Sequence, residues 1–243
     1  MVNRLYVIPL SASSATGSAL LAHKRIPHRV ITLPPGLHGG LLRSAGFEGL
    51  TVPVAEIEGR RLEGTLTISR ALEEVVPEPP LFGGDPVARA SIEAAEQWGE
   101  AELQPVPRRI FRYCLVHDGG LRRWAATEVV GAPSAAGGLL RPLGERLARR
   151  SGADRETVRE DLAALPALLD RTDALIAEGT IGGEPSNAAD FQVFASIRVL
   201  LEFEGSLGRL VAGRPCADAA RRVYPSWLGP IPHSPVLDEL GLS

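Results

Sequence analysis

Short apolar runs open the chain, and amphipathic stretches follow them. Leu5-Tyr6-Val7-Ile8, bounded by Pro9, predicts a buried strand. Residues 13–24 set Leu20 and Leu21 with Ala15, Ala19 and Ala22 at helical spacing. His28-Arg29-Val30-Ile31-Thr32-Leu33 reads as a second strand, closed by Pro34-Pro35-Gly36. Strand, helix and strand within about 30 residues make a βαβ unit with parallel strands. Residues 37–50 are Gly-rich and weakly helical. The runs 52–57 and 60–63 flank Glu58-Gly59 and predict a hairpin. Leu66, Ile68, Leu72 and Val75 then mark an amphipathic helix over 65–75.

The pattern changes at Pro77-Glu78-Pro79-Pro80, a stiff proline-rich linker. It divides the chain into a domain of residues 1–78 and a second of residues 84–243. Asp85-Pro86 signals a helix start, with Asp as N-cap and Pro at the first helical position. Beyond it no strand-like alternation occurs. Helices are expected over 86–103, 139–150, 155–178, 187–204 and about 214–223. Pro105 and Pro107 are expected to kink or interrupt the first of these before Ile110, Phe111 and Tyr113. The Gly, Ala and Pro of 118–138 predict that this stretch contains a loop, and four prolines from Pro225 onward predict an extended tail.

Composition narrows the function. Lys+Arg is 26 and Asp+Glu is 29, a net charge of −3, so no basic excess exists to neutralise a nucleic-acid backbone. Lys24 is the only lysine. The arginine preference goes with the Gly, Pro and Ala content of a high-GC coding bias, so arginine clusters are discounted as anion sites. Cys114 and Cys216 form no CxxC pair, which argues against a zinc cluster or a disulfide framework. The histidines, His23, His28, His38, His117 and His233, show no zinc-ligand spacing, and no metal is expected. The N-terminus lacks the apolar stretch of a signal peptide, and no run of about 18 apolar residues is present. A soluble cytoplasmic protein with no membrane partner is the expectation.

Three local sequences carry a resemblance. The first is Leu5 to Ser14 followed by a helix ending at Ile26-Pro27. The second is Thr51-Val52-Pro53-Val54, then Gly64-Thr65-Leu66-Thr67-Ile68 to Leu72. The third is Pro185-Ser186-Asn187-Ala188-Ala189-Asp190-Phe191. In this order and spacing the chain resembles the glutathione S-transferase superfamily, in its serine-type form. The resemblance implies an α/β thioredoxin-like N-terminal domain (βαβ, a helix, then ββα) that binds glutathione. It also implies an all-helical C-terminal domain lining a hydrophobic pocket, and a homodimer.

The resemblance assigns candidate roles. Ser11, with Ser13 and Ser14 as neighbours, matches the position that stabilises the thiolate. A hydroxyl donor and the positive end of a helix both favour that anion. The plainer reading is that one of these serines caps the helix. Val52 and Pro53, joined by a cis bond in the family, would pair with the cysteinyl part of the thiol. Gly64 and Thr65 would receive its γ-glutamyl carboxylate at a helix start, with Thr65 as a cap. Gly64 stands where the family has an acid, with Glu63 one place earlier, so a related low-molecular-weight thiol stays open beside glutathione. His38 lies where the glycyl end is contacted. Trp98, Glu102, Arg109 and Tyr113, with Arg108 and Arg112, lie on the stretch that faces the active site and could hold an aromatic or acidic electrophile. Their plainer reading is core packing for the aromatics and a solvated face for the arginines. Asn187 and Asp190 read as a capping box for folding.

The implied function is transfer of an activated thiol onto a small, hydrophobic electrophile, as in detoxification. The alternatives are a non-catalytic ligand-binding protein on the same scaffold, and a thiol-dependent isomerase or lyase.

Overall fold

The computed structural model describes residues 2–242. Four strands form one mixed sheet: β1 (Asn3–Val7), β2 (His28–Thr32), β3 (Val54–Ile57) and β4 (Arg60–Glu63), in the order β2-β1-β3-β4. β1 and β2 are parallel, with Leu5 opposite Val30. β3 runs antiparallel to both β1 and β4. Glu58 and Gly59 turn the β3–β4 hairpin at φ 51° and 81°, the left-handed pair that a two-residue hairpin turn requires.

Helices cover both faces of the sheet. On one face, α1 (Ala12–His23) and α3 (Thr65–Val75) bury Leu20, Leu21, Ile68 and Leu72. Gly17 lets α1 approach the strand turn, because a Cβ there would lie 3.0 Å from Pro53 Cβ. On the other face, α2 (His38–Ser44) closes a small second core of Tyr6, Leu33, Leu42, Phe47 and Val54. The Tyr6 ring meets Phe47 edge-on at 5.4 Å.

From Pro86 onward every named element is helical. Asp85 caps α4 (Pro86–Trp98), accepting from Ala88 N at 2.7 Å. The helix expected over 86–103 ends at Trp98 and continues as a π-helical turn, Gly99–Leu103. The interruption expected before Ile110 is present as this π-helical turn and Gln104. Pro105 opens α5 (Pro105–His117) and Pro107 sits in its first turn, where a missing N–H costs no intrahelical bond. A further helix, α6 (Gly119–Glu128), occupies half of the stretch expected to contain a loop, and that loop follows it over 129–133. Asp118 Oδ1 caps the helix, accepting from Gly120 N at 2.6 Å. Helices α7 (Leu140–Ser151), α8 (Arg155–Ala177), α9 (Ala188–Glu202), α10 (Ser206–Ala212) and α11 (Pro215–Val223) follow. The tail is extended only in part: Ile231 bridges to Phe203, and Pro235–Asp238 forms a short helix, α12.

Helix α9 is buried on nearly every side, as a helix through the middle of a core must be. The expected capping box is present: Asn187 Oδ1 accepts from Asp190 N, and Asp190 Oδ2 accepts from Asn187 N at 2.7 Å. One large core runs from Leu5 and Leu20 through to Phe194 and Leu200. The proline-rich connection is part of it. Leu81 and Phe82 are fully buried, and Leu81 O accepts from Ala188 N.

Candidate functional site

The β1–α1 turn sets the first wall of a cleft. Leu10 adopts φ 54°, a left-handed conformation that costs an L residue about 1–2 kcal/mol. The chain then enters Ser11 extended, and Ser11 Oγ caps α1 by accepting from Ser14 N at 3.2 Å. Ser13 Oγ donates to the carbonyl of Val52 at 3.1 Å, and Ser11 Oγ lies 3.0 Å from Ser13 Oγ. A serine hydroxyl has one hydrogen. Because Ser13 gives its hydrogen to Val52, Ser11 is the donor to Ser13. The two hydroxyls therefore form a directed chain ending on the backbone beside Pro53. The Val52–Pro53 bond is cis.

Ser14 takes a different direction. It is buried, and its Oγ accepts from Ile8 N at 3.2 Å. It lies on a groove beside residues 223–228, which Ser11 also borders, and not on the main cleft that Ser11 and Ser13 line.

The start of α3 also departs from expectation. Gly64, at φ 84°, is the N-cap residue and Thr65 is the first helical residue, so Thr65 does not cap the helix. Nothing lies within 4 Å of a Cβ built on Gly64. The Thr65 hydroxyl donates to Glu100 Oε1 at 3.3 Å, across to the π-helical turn. Glu63 is occupied elsewhere. Its carboxylate accepts from Glu48 N at 2.8 Å and Gly49 N at 2.7 Å, closing the loop before β3. The acid that reaches the α3 start is Glu100, which local sequence could not reveal, since it is 35 residues from Thr65.

His38 opens α2, and its Nδ1 accepts from Gly36 N at 3.2 Å. Burial, then the charges of Arg112 and Arg150, lower its pKa. The β2–α2 loop thus faces the helical half, with Gly36 against Leu143.

Helix α5 forms the second wall. Arg108, Phe111, Arg112 and Leu115 recur at i, i+3, i+4 and i+7 and all line a cavity of about 130 Å³ shared with Ser11 and Ser13. Leu140, Leu143 and Leu147 of α7 close its far side. Arg108 is accessible inside the cleft but flanked by protein, and desolvation followed by Arg109 lowers its pKa. The Arg112 guanidinium is pushed down to about 10 by burial, then by Arg108 and Arg150.

The other residues expected on this wall lie elsewhere. Trp98 is buried in the core, and its Nε1 donates to Glu102 at 3.1 Å. Tyr113 is buried beside His117, with ring centroids 4.4 Å apart. Arg109 donates through Nε to Asp161 Oδ2 of α8 at 2.6 Å. None of Trp98, Glu102, Arg109 and Tyr113 lines the cleft. Helix rotation is the reason: 109 and 113 lie on the opposite side of α5 from the stripe at 108, 111, 112 and 115. Cys114 and Cys216 are both buried, and burial pushes both thiols up to about 12, so they stay protonated at neutral pH.

A thioredoxin-like sheet with an all-helical partner, meeting at a cleft over the first helix, defines the glutathione S-transferase fold, and solved structures match it. The glutathione S-transferase of Rhodospirillum rubrum is 21% identical over 95% of both chains, with a TM-score of 0.57. The β-etherase of a Sphingobium species is 17% identical over 91% of this chain and 99% of its own, with a TM-score of 0.64. The maleylacetoacetate isomerase of Anaeromyxobacter dehalogenans, with dicarboxyethyl glutathione and citrate bound in its active site, is 21% identical. That match covers 91% of this chain and 87% of its own, at a TM-score of 0.53. At these identities the likeness is one of fold. No protein-family model and no curated protein matches the chain. Among the described residues, no helix is long and apolar enough to cross a membrane.

Proposed function

We propose that this protein is a glutathione transferase-like enzyme that activates a low-molecular-weight thiol for attack on a small, largely apolar electrophile. One observation carries the reading: the Ser11–Ser13–Val52 hydrogen-bond chain sits at the positive end of α1 and opens onto the cavity. The backbone N–H of Val52 has no partner among the described residues, so the Val52 edge suits the cysteinyl part of a thiol peptide. A peptide N–H given to the Val52 carbonyl releases the hydrogen of Ser13, and with it that of Ser11, toward the sulfur. The thiol proton goes to solvent, and the thiolate forms a C–S bond. Either a leaving group departs with its electron pair, or in conjugate addition the adjacent carbon takes a proton. Proximity and a stabilised nucleophile supply the acceleration.

The γ-glutamyl end is where this chain is particular. Glu100 replaces the missing acid at residue 64 as the group facing an ammonium, and Thr65 N–H receives the carboxylate. His38 stands at the glycyl end. The isomerase neighbour, solved with glutathione bound in its active site, supports thiol binding on this scaffold, and a homodimer in the cytoplasm completes the reading.

The second reading, a ligand-binding protein without turnover, is favoured by one fact. The hydroxyls of Ser11, Ser13 and Thr65 and the carboxylate of Glu63 are all engaged within the protein.

Calorimetric titration with glutathione and other cellular thiols, followed by thiol consumption with an electrophile panel, tests the proposal. Saturable thiol binding weakened in Glu100→Gln, with thiol-dependent product, is expected. Product formed without net thiol loss moves the protein to the isomerase or lyase class. Ligand binding with no thiol turnover selects the second reading. Sedimentation analysis checks the dimer.

A further inference from the structure

We infer that the electrophile taken by this cleft carries a carboxylate, received by Arg108 and Arg112 of α5. What then happens to the bound compound rests on the transferase reading, but its binding does not. Three arginines follow one another closely on this helix, and the fold treats them differently. Arg109 turns away and is neutralised by Asp161. Arg108 and Arg112 turn into the cleft, and neither forms an ion pair among the described residues. Among the described residues, no acidic side chain lines that cavity. The only hydrogen bond of the Arg112 guanidinium among them runs to the Leu147 carbonyl, at 3.4 Å.

The surroundings add to the positive charge. Arg150 acts on Arg112, and both act on His38, which burial keeps neutral. The acid whose field reaches Arg108 is Glu100, a weaker influence there than burial and Arg109. The half-buried Arg112 guanidinium, held in a partly apolar cleft without a counter-charge, is costly, and an arriving anion offsets that cost. The planar guanidinium fork matches a carboxylate. Residues four apart on a helix have Cβ atoms about 5–6 Å from each other, a span that one carboxylate bridges with one oxygen on each arginine. Phe111, Leu115, Leu143 and Leu147 supply apolar walls for the rest of such a compound. The serine chain at the opposite wall places the sulfur across the cleft from the anchored end.

The test is calorimetric titration of the full chain, without thiol, using cinnamate and its uncharged analogue cinnamamide. Cinnamate is expected to bind roughly tenfold tighter or more, the scale of a charge-assisted hydrogen bond. The preference should vanish in Arg108→Gln and Arg112→Gln, persist in Arg112→Lys, and be unchanged in Arg146→Gln, an exposed arginine of α7. Thermal melts check that the variants fold, and the wild-type comparison stands without them. Equal affinity for the two compounds, binding of neither, or a preference surviving both Gln substitutions overturns the inference. Turnover of matched carboxylate-bearing and neutral electrophiles with thiol, measured alongside, separates the two claims. Selective cinnamate binding without turnover defeats the transferase reading alone. Turnover without carboxylate preference defeats this inference alone.

Discussion

Helix α1 brings hydroxyls to the cleft and helix α5 brings guanidinium groups, and the two walls are built by different means. The α1 wall is local. Ser11, Ser13 and the α1 N-terminus are consecutive, and only Val52 comes from elsewhere. The α5 wall is a matter of rotation. Arg108 and Arg109 are adjacent in sequence, yet one lines the cavity and the other pairs with Asp161. Local backbone geometry decides the first wall, and packing against α8 and α7 decides the second.

Each half also has a buried ionic anchor, and removing it should produce the largest effects. In the sheet-bearing half, Lys24 is completely enclosed. Its Nζ reaches Glu73 Oε2 at 2.5 Å and the Pro77 carbonyl at 3.0 Å, tying α1 to α3 and to the linker. Lys24→Met leaves the Glu73 carboxylate uncompensated and is expected to cost about 3–5 kcal/mol, read from the urea unfolding midpoint. A loss under 1 kcal/mol would mean that Leu81 N, which also donates to Glu73, suffices.

In the helical half the anchor is Asp190, whose carboxyl burial pushes up to about 6 from 3.8. The folded value lies above the unfolded one, so the native state holds the proton more tightly. The stability from protonated Asp190 is complete below about pH 4 and is lost as pH rises through 6, a swing of about 3 kcal/mol. Asp190→Asn, which has no proton to take up there, should flatten that window in unfolding curves measured from pH 4 to 7. An unchanged slope would assign the dependence to another group.

At the α1 wall, Ser11→Ala and Ser13→Ala each remove a hydrogen-bond donor to a charged sulfur. Such a bond is worth about 1.5–3 kcal/mol. If the proposed chemistry holds, kcat/KM should fall by roughly 10- to 100-fold, and the pH profile of the thiol should move upward. Ser14→Ala should leave that profile in place, because Ser14 faces the other groove. An upward move in Ser14→Ala alone would reverse this assignment.

The smallest effect belongs to the contact between the walls. After burial, the charge of Arg112 holds the His38 pKa down, so Arg112→Gln should raise it. NMR titration of the His38 ring reads the change. No movement would place the Arg112 charge farther from His38 than the fold indicates.

Much of this molecule is legible from its residues in order. The apolar runs at 5–8 and 28–33, the Glu58-Gly59 turn and the periodicity of 65–75 each state a local preference, and each element forms where its pattern lies. The capping box at Asn187 and Asp190 is equally local. What composition leaves undecided is settled by a distant partner. Residues 119–128 are helical despite their glycines, since Asp118 caps them and Leu121, Ala125 and Ala126 find a core.

The site divides along the same line. Sequence alone determined the β1–α1 serine turn, the Val52-Pro53 pair and the absence of an acid at residue 64, because each is a feature of a few adjacent residues. Tertiary structure alone decided that Glu100 meets Thr65, that Glu63 is spent on its own loop, and that Arg108 and Arg112 rather than Arg109 face the cleft. Which side of a helix meets which neighbour depends on contacts tens of residues apart, and no local pattern encodes that rotation.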